Sequence, residues 1–233
     1  MSDTAFQIAA LFVPAIFAIV FHEVAHGYVA KLLGDPTAEE QRRLSLNPLR
    51  HVDPFGTVVL PVILALLKAP VFGWAKPVPV NKWRLRNPRT SMMLVAAAGP
   101  GTNLVMAGVG AVLLGLLARS YTGAEQPTGL FAFIAVSLVF FLQINIFLAL
   151  FNLLPIPPFD GSHIVEGLLP RELALGYAKL RRFGFTLVIL LLIVLPSIFP
   201  GFDVIGRYVL PPVQWLTDHY MALASQIAGQ QIT

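Results

Sequence analysis

The run Phe21-His22-Glu23-Val24-Ala25-His26-Gly27 holds two imidazoles and a carboxylate at a spacing that suits a metal ion. On a helix, positions i and i+4 share one face, so His22 and His26 can reach the same ion. Glu23, one residue round, can then take a proton from a water that the ion activates. The motif sits inside an apolar run from about Ala5 to Leu33, long enough to cross a bilayer. Ionisable groups at that depth are costly and mark a functional site by default. The plainer reading, two buried histidines bonded to neighbouring helices, leaves that cost unexplained.

The elements that must position these residues follow from composition. The chain has 233 residues, 56% hydrophobic and 12% charged, about half the charge of a soluble domain. That predicts an all-α polytopic membrane protein in a lipid bilayer. The basic residues sit in short loops between apolar runs, where they set orientation, so the net charge of +4 does not point to nucleic acid. There is no cysteine, which excludes disulfides, thiolate ligands and a cysteine nucleophile. Met1–Thr4 lacks the basic start of a signal peptide, so the first run is expected to be retained.

Four full spans are expected: Ala5–Leu33, Ser91–Arg119, Leu130–Leu154 and Phe183–Phe199. Pro14 can kink the first, and Gly99-Pro100 is expected to break the second. Thr57–Phe72 is apolar but short, holds Pro61, Lys68 and Pro70, and reads as re-entrant. Arg43–Leu46 alternates, and Gly73–Asn81 is extended by its prolines. Both are expected as small β-strand or loop elements on the cytoplasmic side. Asp203–Thr233 reads as an amphipathic or membrane-hugging tail. The whole, 1–233, is expected to be one domain, with a catalytic core at about 5–165 and a C-terminal helix and tail at about 183–233.

Basic residues concentrate in 31–53, 74–90 and 171–182, which places those regions in the cytoplasm. Depth gives the same topology. His26 lies roughly 10 Å from Leu33 at 1.5 Å per residue, and a third ligand must arrive at that depth. If 57–72 re-enters, the span at 130–154 descends to the same end and delivers Asp160. If 57–72 crosses, Asp160 lands on the opposite side.

Catalytic zinc takes three protein ligands and a water. Without cysteine, the third must be His, Asp or Glu. Asp160 follows the break Pro155-Ile156-Pro157-Pro158 at the end of a span and is the leading candidate, though it also reads as a helix N-cap. His163 and Glu166 are rivals. His51 and His219 read as loop or interface residues. Asn145 and Asn152 lie in the span leading to Asp160, and buried amides there must be paired or functional. Asn152 can donate to an oxyanion. Asn103, among glycines, reads as close packing.

With these residues in view, the sequence resembles the site-2 protease family of intramembrane zinc metalloproteases, in its compact prokaryotic form without PDZ or CBS domains. The likeness rests on His22-Glu23-Val24-Ala25-His26, on Gly99-Pro100 with Asn103, and on Asn152-Leu153-Leu154-Pro155 through Pro158-Phe159-Asp160-Gly161. Gly73–Asn81 and Leu46-Asn47-Pro48 add to it. Phe159 and Ser162 depart from the usual Leu and Gly, and neither is a ligand. The resemblance implies one Zn2+ per chain held by His22, His26 and Asp160, with Glu23 as general base and Asn152 as substrate or oxyanion contact. It implies a transmembrane protein substrate, and a prokaryotic cytoplasmic membrane with the active site near the cytoplasmic side. The rival class is a metal transporter or metal-binding scaffold. A transporter would string polar residues along a path through several spans, whereas here they converge at one depth.

Overall fold

The computed structural model describes residues 3–59, 62–63, 66, 75–121, 127–199 and 201–232. In chain order its main helices are α1 (Asp3–Leu32), the short α2 (Thr37–Glu40), α3 (Pro88–Ser120), α4 (Gly129–Asn152), the short α5 (Asp160–Leu168), α6 (Arg171–Ile198) and α7 (Leu210–Ala228). α1, α3, α4 and α6 are long and apolar enough to cross a membrane, so the protein is an all-α multi-pass membrane protein. The stretch 57–72, expected to re-enter, lies mostly outside the described residues. Its described flanks meet at one end of the bundle, where the Lys76 amide donates to the His51 carbonyl at 2.8 Å.

α1, α3 and α4 form the core. α1 and α4 run one way and α3 the other, so His26 meets Val95, Ala18 and Asn145 meet Asn103, and Phe6 meets Phe133. α3 makes this possible. Ser91, Val95, Gly99, Asn103, Ala107, Ala111 and Gly115 recur every fourth residue, and all are buried. Four residues turn a helix by about 400°, so the stripe drifts by about 40° per step around α3. One end of it therefore faces α1 and the other faces α7. In lipid, helices associate through close backbone approach at small residues rather than through hydrophobic force. A Cβ on Gly115 would lie 2.6 Å from the Ala224 carbonyl of α7.

Three expectations change. The Gly99-Pro100 break is absent, and α3 runs unbroken from Pro88 to Ser120. The glycine serves the neighbouring helix instead. No strand forms among the described residues: Arg43–Leu46 and Ala75–Asn81 are extended but unpaired. The reason is donor supply. Pro77 and Pro79 carry no N–H, and the amides of Lys76, Val78 and Asn81 go to the His51 carbonyl, the Glu23 carboxylate and the Asp35 carboxylate. Finally, the tail does not lie flat. α7 stands against α3 and α4, with Ala224 fully buried in their shared core, and ends at Gly229 with φ 71°.

The turn after α1 clamps the 75–81 segment. Gly34 takes φ 108°, which favours glycine. Asp35 behind it is fully buried. It accepts the Thr37 amide at 3.1 Å and the Asn81 amide at 2.5 Å.

Candidate metal centre

Glycine 99 sets the site's dimensions. A Cβ there would lie 2.5 Å from His26 Nε2 and 2.6 Å from His22 Cε1, so only a residue without a side chain lets α1 press its imidazoles against α3. The His22 and His26 rings then stand edge to face, 4.6 Å apart, as i and i+4 on one helix face must.

Each ring is held from behind. His26 Nδ1 lies 2.7 Å from the Val95 carbonyl, which can only accept, so the proton is on Nδ1 and Nε2 is bare. His22 Nδ1 lies 2.6 Å from Asn103 Oδ1. Asn103 points its oxygen that way because its Nδ2 donates to the Ala18 carbonyl at 3.1 Å and to Asn145 Oδ1 at 2.7 Å. Asn145 in turn donates to the Phe141 carbonyl at 2.8 Å. Asn103 and Asn145 are both fully buried. This relay fixes the second tautomer too, leaving both Nε2 lone pairs facing inward.

Asp160 completes the group. α4 ends at Asn152, and the proline-rich turn folds back so tightly that Gly161 touches the Leu153 carbonyl, a contact no side chain permits. Phe159 packs on Phe151, with ring centroids 4.5 Å apart, and Tyr177 donates to the Pro155 carbonyl at 2.7 Å. Asp160 is the first residue of α5. Its Oδ2 lies 3.1 Å from His22 Nε2 and 3.2 Å from His26 Nε2, and those two nitrogens are 3.0 Å apart.

These three atoms fit a zinc ion. Ligands about 2.0–2.2 Å from a tetrahedral centre stand about 3.3 Å apart. The buried Asp160 Oδ2 has no hydrogen-bond partner among the described residues. Both histidines carry the outer hydrogen bond that zinc-binding imidazoles usually make.

Glu23 sits beside the group, and its Oε2 accepts the Val78 amide at 2.8 Å. Asn152 is not brought to the three ligand atoms by any contact. It donates to the Leu148 carbonyl of its own helix at 3.0 Å. His163 and Glu166 are drawn away by Arg181, whose guanidinium bonds His163 Nδ1 at 3.0 Å and pairs with Glu166. Burial and that guanidinium hold His163 down at about 4. His51 bonds the Ser45 carbonyl at 2.7 Å and His219 the Trp215 carbonyl at 2.7 Å, both apart from the site. The sequence reading assigned Asn103 to packing, whereas it holds His22. Its signal was the spacing of four from Gly99, which puts both on the α3 face that meets α1. No sequence signal marked Asp35 as a clamp.

The sequence model of Peptidase family M50 matches residues 127–195. "Putative zinc metalloprotease YwhC" of Bacillus subtilis is 41% identical over 207 residues, covering 87% of this chain and 84% of its own. "Putative zinc metalloprotease Rip2" of Mycolicibacterium smegmatis is 29% identical over 220 residues, covering 94% of this chain and 77% of its own. No solved structure matches. A likeness of 41% across most of both chains, with a metal-sized cluster on α1 and α5, shows that the chain belongs to peptidase family M50, the site-2 protease family of membrane zinc metalloproteases.

Proposed function

We propose that His22, His26 and Asp160 hold one zinc ion and that the protein hydrolyses peptide bonds within or near transmembrane segments of other membrane proteins. The observation that carries this is the convergence of three bare ligand atoms at 3.0–3.2 Å, two of them on a helix long and apolar enough to cross a bilayer. Bound there, zinc supplies a Lewis acid that polarises the scissile carbonyl and acidifies the attacking water.

Glu23 is the general base. It is about 100° round the helix from His22, outside the cluster yet beside it. Its Oε2 is steadied by the Val78 amide, and its Oε1 has no partner among the described residues. It takes the water's proton and returns it to the leaving amine. Asn152 keeps one amide hydrogen beyond its bond to Leu148, and we assign it the substrate or oxyanion contact. A substrate helix hides its carbonyls, so it must unwind before it can be cut. We assign pairing with the unwound strand to the irregular segments at 43–56 and 75–81.

The metal end carries Arg42, Arg43, Arg50, Lys76, Lys82, Arg84, Arg86 and Arg89, which assigns that end to the cytoplasm. With no native cysteine, single cysteines at the exposed Trp83 and Ser120 report it directly. Position 83 should label from the cytoplasm and 120 from outside.

Glu23→Gln tests the chemistry. It keeps size and hydrogen bonding but cannot take a proton at neutral pH. Zinc content should stay near one per chain while cleavage of a transmembrane reporter in liposomes falls about 10²-fold or more. Unchanged turnover, or a parent protein that moves zinc across liposomes and cuts nothing, overturns the assignment in favour of a transporter.

A further inference from the structure

The bundle carries a second set of polar side chains, which the metal centre does not use. α7 runs alongside α3 in the same direction. Tyr220 donates to the Leu104 carbonyl at 3.1 Å, the Ala224 carbonyl lies against Gly115, and Gln230 reaches the Ala118 carbonyl at 3.4 Å. Leu104 is the midpoint of Pro88–Ser120, so Asp218, two residues before Tyr220, stands near the middle of the span. Gln143 stands at similar depth on α4, two residues from the Asn145 that bonds Asn103. Gln143, Gln214, Thr217 and Asp218 line one groove of about 400 Å³ that also touches Leu11 of α1 and Phe147 of α4.

Gln143, Gln214 and Asp218 are exposed on the outside of the bundle. Among the described residues, none of their side chains has a hydrogen-bond partner. A carboxylate facing hydrocarbon is costly and in membrane proteins is paired. Polar contacts between helices are a main means of association in lipid.

We propose that this groove docks a transmembrane helix of a partner protein that carries a lysine or arginine near its midpoint. The Asp218 carboxylate matches the charge, and the Gln143 and Gln214 amide oxygens accept the remaining N–H groups. The volume admits one long side chain, which orients its helix along α4 and α7. A second copy of this chain is the poorer occupant, because a two-fold contact would set Asp218 against Asp218.

The test uses the full chain in liposomes, labelled through a cysteine at Ser120, and poly-leucine transmembrane peptides with Lys, Leu or Glu at their centre. Energy transfer should show the Lys peptide binding about three- to tenfold more tightly than the Leu peptide. Asp218→Leu should abolish that preference and leave cleavage of a transmembrane reporter unchanged. Gln143→Leu with Gln214→Leu, which keeps the carboxylate, should weaken it by about half. Equal binding of Lys and Leu peptides, or a preference that survives Asp218→Leu, overturns the proposal. So does a Glu peptide that binds as well as the Lys peptide, since the pairing would then be neutral. Energy transfer between two labelled copies that is lost in Asp218→Leu would make the occupant a second copy and also overturn it.

Discussion

α3 and α6 are both long apolar helices, yet one is the keel of the molecule and the other stands almost clear of it. Along α3 a small or compact residue recurs every fourth position from Ser91 to Gly115, and every one is buried. Along the apolar half of α6, Gly184 packs against Pro157 and Pro158, and thereafter branched aliphatic residues follow one another from Leu187 to Leu195. Lipid tails are as apolar as leucine, so bulk hydrophobicity gives α6 no reason to leave them. Only helices whose backbones can approach closely are held in place. The candidate catalytic groups are carried on or delivered against α1, α3 and α4, where that condition is met. A metal site needs its ligands fixed to within about 0.5 Å, and in lipid that precision requires small residues behind them.

The sharpest way to break the contrast is at Gly99. A methyl there meets both imidazoles at 2.5–2.6 Å, although alanine is the better helix former by about 1 kcal/mol. Gly99→Ala should therefore keep its helicity and lose zinc, with reporter cleavage down at least about 100-fold. Gly101, two residues on, has open space around it, and Gly101→Ala should leave both properties as they were. Zinc analysis of the purified pair decides the matter. Equal metal content in the two variants would show that α1 and α3 can separate at no cost.

The candidate ligands are legible in the sequence because their chemistry is local. His22, Glu23 and His26 declare themselves by spacing within one helix, and Asp160 by its place after a proline-rich turn at the right depth. The four long apolar spans were legible for the same reason, since length and hydropathy are read along one segment. What stayed hidden depends on other segments. Gly99 looked like a break because glycine and proline weaken isolated helices. Here the neighbouring imidazoles need the missing side chain, and the helix continues through it. The extended 75–81 segment looked like a strand, but its free amides found Glu23 and Asp35, both distant in sequence. Asp203–Thr233 read as an amphipathic or membrane-hugging tail, although its small Ala224 fits against Gly115.

Asn103 sharpens the comparison at a smaller scale. It accepts from His22 and donates to Ala18 and Asn145, so it fixes a ligand's tautomer through a relay across three helices. Removing such an outer partner of a metal-binding histidine costs about 10- to 100-fold in affinity. Asn103→Ala should weaken zinc by that range. Asn145→Ala, one step further out, should weaken it less, because Asn103 keeps its bond to the Ala18 carbonyl. Competition against a chelator orders the two variants. A reversed order would mean that the relay orients the helices rather than the imidazole.

The smallest expected effect lies on α6, and there the contrast predicts a near-absence of response. Leu190 is 40% exposed and sits in the part of α6 that, among the described residues, packs chiefly on its own helix. Truncating a buried leucine costs 2–5 kcal/mol, much of it from the cavity left behind. At Leu190 there is no cavity to leave, since lipid fills the space, so Leu190→Ala should shift unfolding in detergent by no more than about 0.5 kcal/mol. On the keel the same kind of measurement should respond in the opposite sense to added volume. Gly115→Val places atoms where the Ala224 carbonyl and Ile227 already stand, and overpacking of this kind costs about 1–3 kcal/mol. Should Leu190→Ala destabilise as much as Gly115→Val, α6 packs on the bundle after all, and small-residue contact is not what decides which helices carry the site.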